Sequence, residues 1–337
     1  LLGVAFLGGG PGSVIDYVAL RDSVSPEEAV HRLILRAKGR DQAERSAPLV
    51  HRGNGAAKAS IFPPSPSAAA LLRDVVAAYA QNLADSPAAQ RYLAGRGLGP
   101  GVIERFQVGF SDGKLATKLA PDGAQEAALR DLGILKDGGR EHFAGMIVVP
   151  IPAPDGQGFV QAYARRIVDR EPRHLYLPTE HRGILNAEAA RVYADRLILA
   201  EKVLDFLSLW QIGVPSCIPC FGASGFTRPM EALLKDAGVR RVVVAFDHDE
   251  PGHKGAFRVA ERLRALGIEP LRLLWPEGIK DANQWLVTPL PDGRKVARED
   301  FEALLAAAEP MAGGAAVSVP ALAPRLPASA SASPATK

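Results

Sequence analysis

Three apolar, strand-like runs that each lead to a carboxylate constrain this chain more than any other feature. In residues 240–256, RRVVVAFDHDEPGHKGA, the run through Val242, Val243 and Val244 ends at Asp247-His248-Asp249, and a Gly-opened helical pattern follows. Upstream, Leu197-Ile198-Leu199-Ala200 ends at Glu201; in the KVLDFLSLWQIG that follows, Val203, Phe206, Leu207 and Trp210 recur at helical spacing. That spacing sets Asp205 one turn along from Glu201. Downstream, the strand-like residues 268–274 lead through Trp275-Pro276-Glu277-Gly278-Ile279-Lys280 to Asp281. Alternating strands and helices joined by right-handed crossovers make a parallel sheet whose strand ends lie on one side, the side where such sheets take their ligands. Carboxylates crowded there share a proton or bind a cation, and a hard divalent ion is the natural partner for oxygen ligands. Residues 194–290 are therefore expected to form a mainly parallel sheet with helices on its faces, with Glu201, Asp247 and Asp281 at one edge.

These residues carry a resemblance. Glu201 with Asp205, then Phe221-Gly222-Ala223, then Phe246-Asp247-His248-Asp249 running on through Gly252 to Ala256, then Lys280-Asp281, resemble in order and spacing the TOPRIM domain shared by bacterial-type primases and topoisomerases. The preceding region is similar to the other half of a bacterial primase core. Tyr92-Leu93-Ala94-Gly95-Arg96-Gly97-Leu98 and Phe106-Gln107-Val108-Gly109-Phe110 look like the family's Y-L-x-x-R-G-L and F-x-x-G-[FY] elements. Met146-Ile147-Val148-Val149-Pro150-Ile151 followed by Asp155-Gly156 looks like its M-x-x-P-I-x-D-x-x-G hairpin. Topoisomerases lack these upstream elements, so the resemblance selects primase. It implies an α/β plus α+β fold, a TOPRIM Rossmann-like parallel sheet preceded by a mixed α+β subdomain.

The chain also departs from the family. Lys202 stands where Gly usually follows the first acid, a cation that either contacts phosphate or partly neutralises the metal site. Arg166 followed by Pro172-Arg173-His174-Leu175-Tyr176 replaces G-R followed by P-K-Y-L-N, and Asp281-Ala282-Asn283 replaces the more frequent D-x-D. At the amino end, residues 5–18 resemble the tail of the zinc module that precedes the primase core, with Ala5 and Gly8 where its cysteines would be. Structural zinc needs four ligands drawn largely from Cys and His, so this module is expected to be degenerate or truncated and to hold no zinc.

Composition fits an enzyme of more than one unit: 337 residues, 47% hydrophobic, with no run approaching a membrane span. Leu1 to Leu7 lack the basic start of a signal peptide, and the cytoplasm is the expected location. The net charge of +3 requires any nucleic-acid grip to be local, and the excess of Arg over Lys favours phosphate contacts. Cys217 and Cys220 lie in an apolar run and read as buried strand residues, while His248 should point away from its flanking aspartates into solvent. Breakers divide the chain into a zinc-module remnant (1–37), a linker (38–67), an α+β subdomain (68–190), the TOPRIM domain (191–290), a carboxy-terminal helix (291–311) and an Ala/Pro/Ser tail expected to be disordered (312–337).

The resemblance implies a DNA primase that makes short RNA primers on single-stranded DNA from ribonucleoside triphosphates, with Mg²⁺ or Mn²⁺. Glu201, Asp247 and Asp249 are the expected catalytic and metal-holding acids, and Asp205 and Asp281 the secondary ones. Arg96, Arg165, Arg166, Arg173 and Lys202 are the expected contacts to template or triphosphate. No helicase-docking domain is legible, so a stand-alone enzyme of a mobile element is the expected setting. A TOPRIM nuclease using the same acids, and a non-catalytic single-strand-binding relic, are the alternatives.

Overall fold

The computed structural model of the chain describes residues 66–119, 123–153 and 158–311. The expected zinc-module remnant, the linker up to residue 65, the Asp155-Gly156 turn and the tail at 312–337 lie outside the described residues. No helix among the described residues is long and apolar enough to cross a membrane.

The first half is built on an antiparallel sheet, β1 (Gly109–Ser111), β2 (Met146–Pro152), β3 (Phe159–Arg166) and β4 (His174–Tyr176), in that spatial order. Strand β2 is apolar on both faces because both are covered. Its Met146 and Val148, with Ala162 and Ala164 of β3, pack against Leu72, Val75 and Tyr79, which recur at helical spacing on α1 (Pro66–Ala84). Its Ile147, Val149 and Ile151, with Tyr163, face the opposite way into a second cluster. That cluster takes Leu93 from α2 (Pro87–Gly95) and Val102 from α3 (Pro100–Arg105). Helix α2 starts at Ser86, whose Oγ accepts from the Ala89 N–H at 3.3 Å, with Pro87 in the first turn where its missing N–H is harmless. Helices α4 (Leu115–Leu119) and α5 (Gly123–Asp131) close the first cluster through Leu115 and Leu129.

After the short α6 (Ala189–Val192), strand and helix alternate: β5 (Leu197–Ala200), α7 (Val203–Gln211), β6 (Cys217–Pro219), α8 (Arg228–Asp236), β7 (Arg241–Ala245), α9 (Glu250–Ala265) and β8 (Glu269–Arg272). Helices α10 (Ala282–Val287) and α11 (Arg298–Ala306) and the two-residue β9 (Glu309–Pro310) complete it. The sheet order is β6-β5-β7-β8-β9; the first four strands are parallel and β9 runs antiparallel to β8. Leu197, Leu199, Val242 and Val244 pack on one face against Met230 and Leu234 of α8 and Val259 and Leu263 of α9. Ile198, Ala200, Val243 and Ala245 face the other way, toward Phe206 of α7, Trp285 of α10 and Phe301 of α11. This last cluster is the one that also receives Ile147, Val149 and Tyr163, so one continuous core joins the two sheets. Cys217 and Cys220 are buried in the second sheet, and burial raises both thiols above their ordinary range.

Candidate metal centre

Register levels the strand ends. Ala200 pairs with Ala245 across β5 and β7, so the residues that follow, Glu201 and Phe246-Asp247, emerge side by side at the carboxyl edge. The Asp247 N–H donates to Glu201 Oε2 at 3.1 Å, which locks the two turns together. Below them Arg272 of β8, a buried cation, donates to the carbonyls of Val244, Phe246 and Asp247 at 3.4, 3.2 and 3.2 Å, and Trp275 Nε1 donates to that of Phe246 at 3.1 Å. Burial lowers the Arg272 pKa to about 10, against the pull of Glu201 and Asp247, so it stays a fixed positive charge behind the site at neutral pH. The turn itself depends on Gly252: a Cβ there would meet the Asp247 carbonyl oxygen at 2.3 Å.

Five carboxylates arrive at this edge, in different states. Asp205, on the first turn of α7, Asp247 and Asp281 each offer an oxygen within 4.8 Å of the others. Asp205 Oδ2 and Asp247 Oδ1 are buried without a hydrogen-bond partner. An ionised oxygen left that way is strongly disfavoured unless a cation meets it. Burial, then repulsion from Asp247 and Asp281, drives the Asp205 carboxyl well above the ordinary range. Glu201 is raised too, by burial and by Asp247, with Lys202 pulling the other way. Asp249 is different: its Oδ1 caps α9 by accepting from the Gly252 N–H at 2.8 Å, and its Oδ2 pairs with Lys280 at 2.9 Å. Partial burial pushes it up, but these donors outweigh burial and hold it below the carboxylate range. Asp281 likewise caps α10, accepting from the Gln284 N–H at 2.7 Å.

The expected metal set of Glu201, Asp247 and Asp249 is therefore distributed differently from the cluster that geometry brings together, Asp205, Asp247 and Asp281. Lys202 lies inside the site, with Nζ 2.8 Å from Glu201 Oε1 and 2.7 Å from Asp247 Oδ2. Burial works against its charge, but Asp205, Glu201 and Asp247 together hold the ammonium above its ordinary pKa. Lys280 lies 3.6 Å from Asp247 Oδ2. Asn283 is not at the acidic cluster. It is buried, donating to the Arg96 carbonyl at 3.0 Å and Ser208 Oγ at 2.9 Å while accepting from Arg96 Nη1 at 3.0 Å. Arg96 also lies over the Tyr92 ring, at 5.2 Å. The other expected cations lie on and after β3. Arg165 Nε donates to Tyr92 Oη at 3.4 Å, Arg166 Nε to the Pro172 carbonyl at 3.3 Å, and Arg173 pairs with exposed Asp169 and Glu171 at 3.1 Å. His248 is exposed, as expected. Arg272 carries no signal in the sequence beyond a strand charge, and Lys280 stands there only as part of the Lys280-Asp281 element, not as a site residue.

Two family profiles match in sequence order: the DNA primase catalytic core, N-terminal domain, over residues 78–189, and a Toprim-like family over residues 198–286. In their order and extent these matches resemble the two halves of a DnaG-type primase core. The DNA primase of Haemophilus influenzae is 28% identical over 262 residues, covering 71% of this chain and 42% of its own length. That of Pseudomonas aeruginosa is 25% identical over 334 residues, covering 90% of this chain and 48% of its own. The chain thus spans under half the length of these primases. Among solved structures, a DnaG primase catalytic domain bound to single-stranded DNA superposes with a TM-score of 0.61 at 25% identity, covering 72% of this chain and 79% of that one. The E. coli primase catalytic core gives 0.60 at 25% identity, covering 72% and 80%. The Toprim-like match includes every one of the five acids and the carboxyl ends of β5 to β8.

Proposed function

We propose that this chain is a DNA primase that joins ribonucleotides into short RNA primers on single-stranded DNA, using Mg²⁺ or Mn²⁺. The observation that carries the reading is the pair of buried, unpartnered oxygens on Asp205 and Asp247, converging with Asp281 at the carboxyl edge of a Toprim-like sheet within a primase core. Those three carboxylates fit a hard divalent ion and would hold it. Such an ion, when bound, offsets the negative charge that builds on the leaving pyrophosphate.

The chain's own groups supply the rest. Glu201 is buried with one oxygen held by the Asp247 N–H and the other by Lys202, and we assign it to orienting the reacting 3′-hydroxyl. Asp249 and Lys280 brace the turn that presents Asp247. Arg165, Arg166 and Arg173 are assigned to template phosphates; the ion pairs of Arg173 are exposed and therefore weak enough for phosphate to displace. Arg96, engaged with Asn283, shapes the junction between the two halves. The neighbour solved with single-stranded DNA supports that template class.

The test is incubation of the purified chain with labelled ribonucleotides on single-stranded DNA, with Mg²⁺ or Mn²⁺ and with chelator. Metal-dependent RNA products are expected. Strand degradation without nucleotides would identify a nuclease instead, and strand binding with no product under either metal would identify a binding relic.

A further inference from the structure

The acidic edge divides into two parts. Lys202 Nζ occupies one, between Glu201 Oε1 at 2.8 Å and Asp247 Oδ2 at 2.7 Å, where it touches two carboxylates at once. The other is the cluster of Asp205, Asp247 and Asp281, each with an oxygen within 4.8 Å of the others', and in it Asp205 Oδ2 and Asp247 Oδ1 are buried and unpartnered. Asp247 belongs to both: its Oδ2 meets Lys202, and its Oδ1 is left unpartnered. We infer that Lys202 is a tethered cation standing in one of two cation positions, so that this primase site takes a single divalent ion, held by Asp205, Asp247 and Asp281. The inference rests on the proposed function and names the ion stoichiometry of that site.

Charge and reach agree with it. When all are ionised, the five acids Glu201, Asp205, Asp247, Asp249 and Asp281 face Lys202, Lys280 and buried Arg272, which leaves two negative charges, the charge of one divalent ion. The backbone supports the lysine's position as well. Lys202 is the N-cap of α7 with extended φ/ψ, which starts its side chain at the mouth of the site, and its side chain is only 27% exposed. An ammonium and a divalent ion cannot share the same two oxygens at these distances, so ion binding at the Glu201 side requires Lys202 to leave. On the Asp205 side Lys202 acts only through its field and makes no hydrogen bond to Asp205 Oδ2, so that oxygen and Asp247 Oδ1 are what an ion there would satisfy.

The experiment is a count of bound Mn²⁺ per chain by equilibrium titration with spin-resonance detection of free ion, for the parent, Lys202→Gly and Lys202→Gln. Glycine is tolerated at an N-cap, and the glutamine variant keeps the length of the side chain if the glycine variant folds poorly. One ion per parent chain and two per chain in the variants are expected. Thermal unfolding gives a second readout: with chelator both variants should melt below the parent, and Mn²⁺ should raise their midpoint by more than the parent's. Two ions in the parent, or one in the variants, overturns the inference and leaves the metal-dependent primase reading intact. No ion in any of the three overturns that reading itself, and the inference with it.

Discussion

Replacing Asn283 by aspartate restores the more frequent D-x-D pattern and, on this structure, harms the protein. Asn283 is buried, and its amide nitrogen donates to the Arg96 carbonyl at 3.0 Å and Ser208 Oγ at 2.9 Å, while its oxygen accepts from Arg96 Nη1 at 3.0 Å. Aspartate keeps the last contact and loses both donations. Ser208 can turn its hydroxyl toward the new carboxylate, but only by releasing the Leu204 carbonyl it now donates to at 2.8 Å. The Arg96 carbonyl is left buried against an anionic oxygen, at about 1–3 kcal/mol, and one further hydrogen bond is lost at about 1 kcal/mol. The guanidinium returns about 1 kcal/mol by charge assistance, so the net loss is about 2 kcal/mol. With a urea m-value of about 2–3 kcal/mol/M the unfolding midpoint should drop by about 1 M with m unchanged. A variant within about 0.5 kcal/mol of the parent, or one that gains a Mn²⁺ ion, would refute the assignment of Asn283 to the junction rather than to the metal centre.

Gly252→Ala places a methyl 2.3 Å from the Asp247 carbonyl oxygen, so the start of α9 must move; a loss of about 1–3 kcal/mol in urea unfolding together with weaker Mn²⁺ binding is expected, and an unchanged titration would count against the turn's role. Burial lowers the pKa of His142, despite its contact with the Tyr176 carbonyl, so the folded ring stays neutral where the unfolded one protonates. Because the unfolded chain then binds more protons, His142 contributes stability that is complete above pH about 6.5 and declines as pH falls from there toward the lowered folded value. His142→Gln should flatten that part of a stability-against-pH curve, and an unaltered curve would contradict the sign.

The strand ends were legible because apolar runs stop at Glu201, Asp247 and the loop before Asp281, and parallel crossovers leave those ends no other side to occupy. The rank of the acids was not. Asp205 and Asp249 are each a few residues from a strand end, and what separates them is burial of one within the first turn of α7 and capping of α9 by the other, both properties of packing rather than of spacing. Arg272 reads in the sequence as one more strand charge; only the fold shows its guanidinium turned under three backbone carbonyls. Lys202 is visible in the sequence as a departure, and only its reach to Glu201 and Asp247 in the fold separates its two alternatives. Strand β9 has two residues, too few to carry any periodicity. Asn283 looked like a missing acid because a motif does not show that a helix start can turn one residue toward the acidic cluster and another into the core.

The central claim, that Asp205 and Asp247 hold the ion on which primer synthesis depends, is tested most directly by Asp205→Asn combined with Asp247→Asn. Ribonucleotide incorporation on single-stranded DNA is measured beside strand binding at the same salt. The isosteric amides remove the charge at the two unpartnered oxygens and leave Arg165, Arg166 and Arg173 untouched. Incorporation should fall by at least about 100-fold, the scale on which removing a preorganised electrostatic group acts, while strand affinity stays within about twofold. Incorporation at the parent rate, with Mn²⁺ binding retained, would contradict the account.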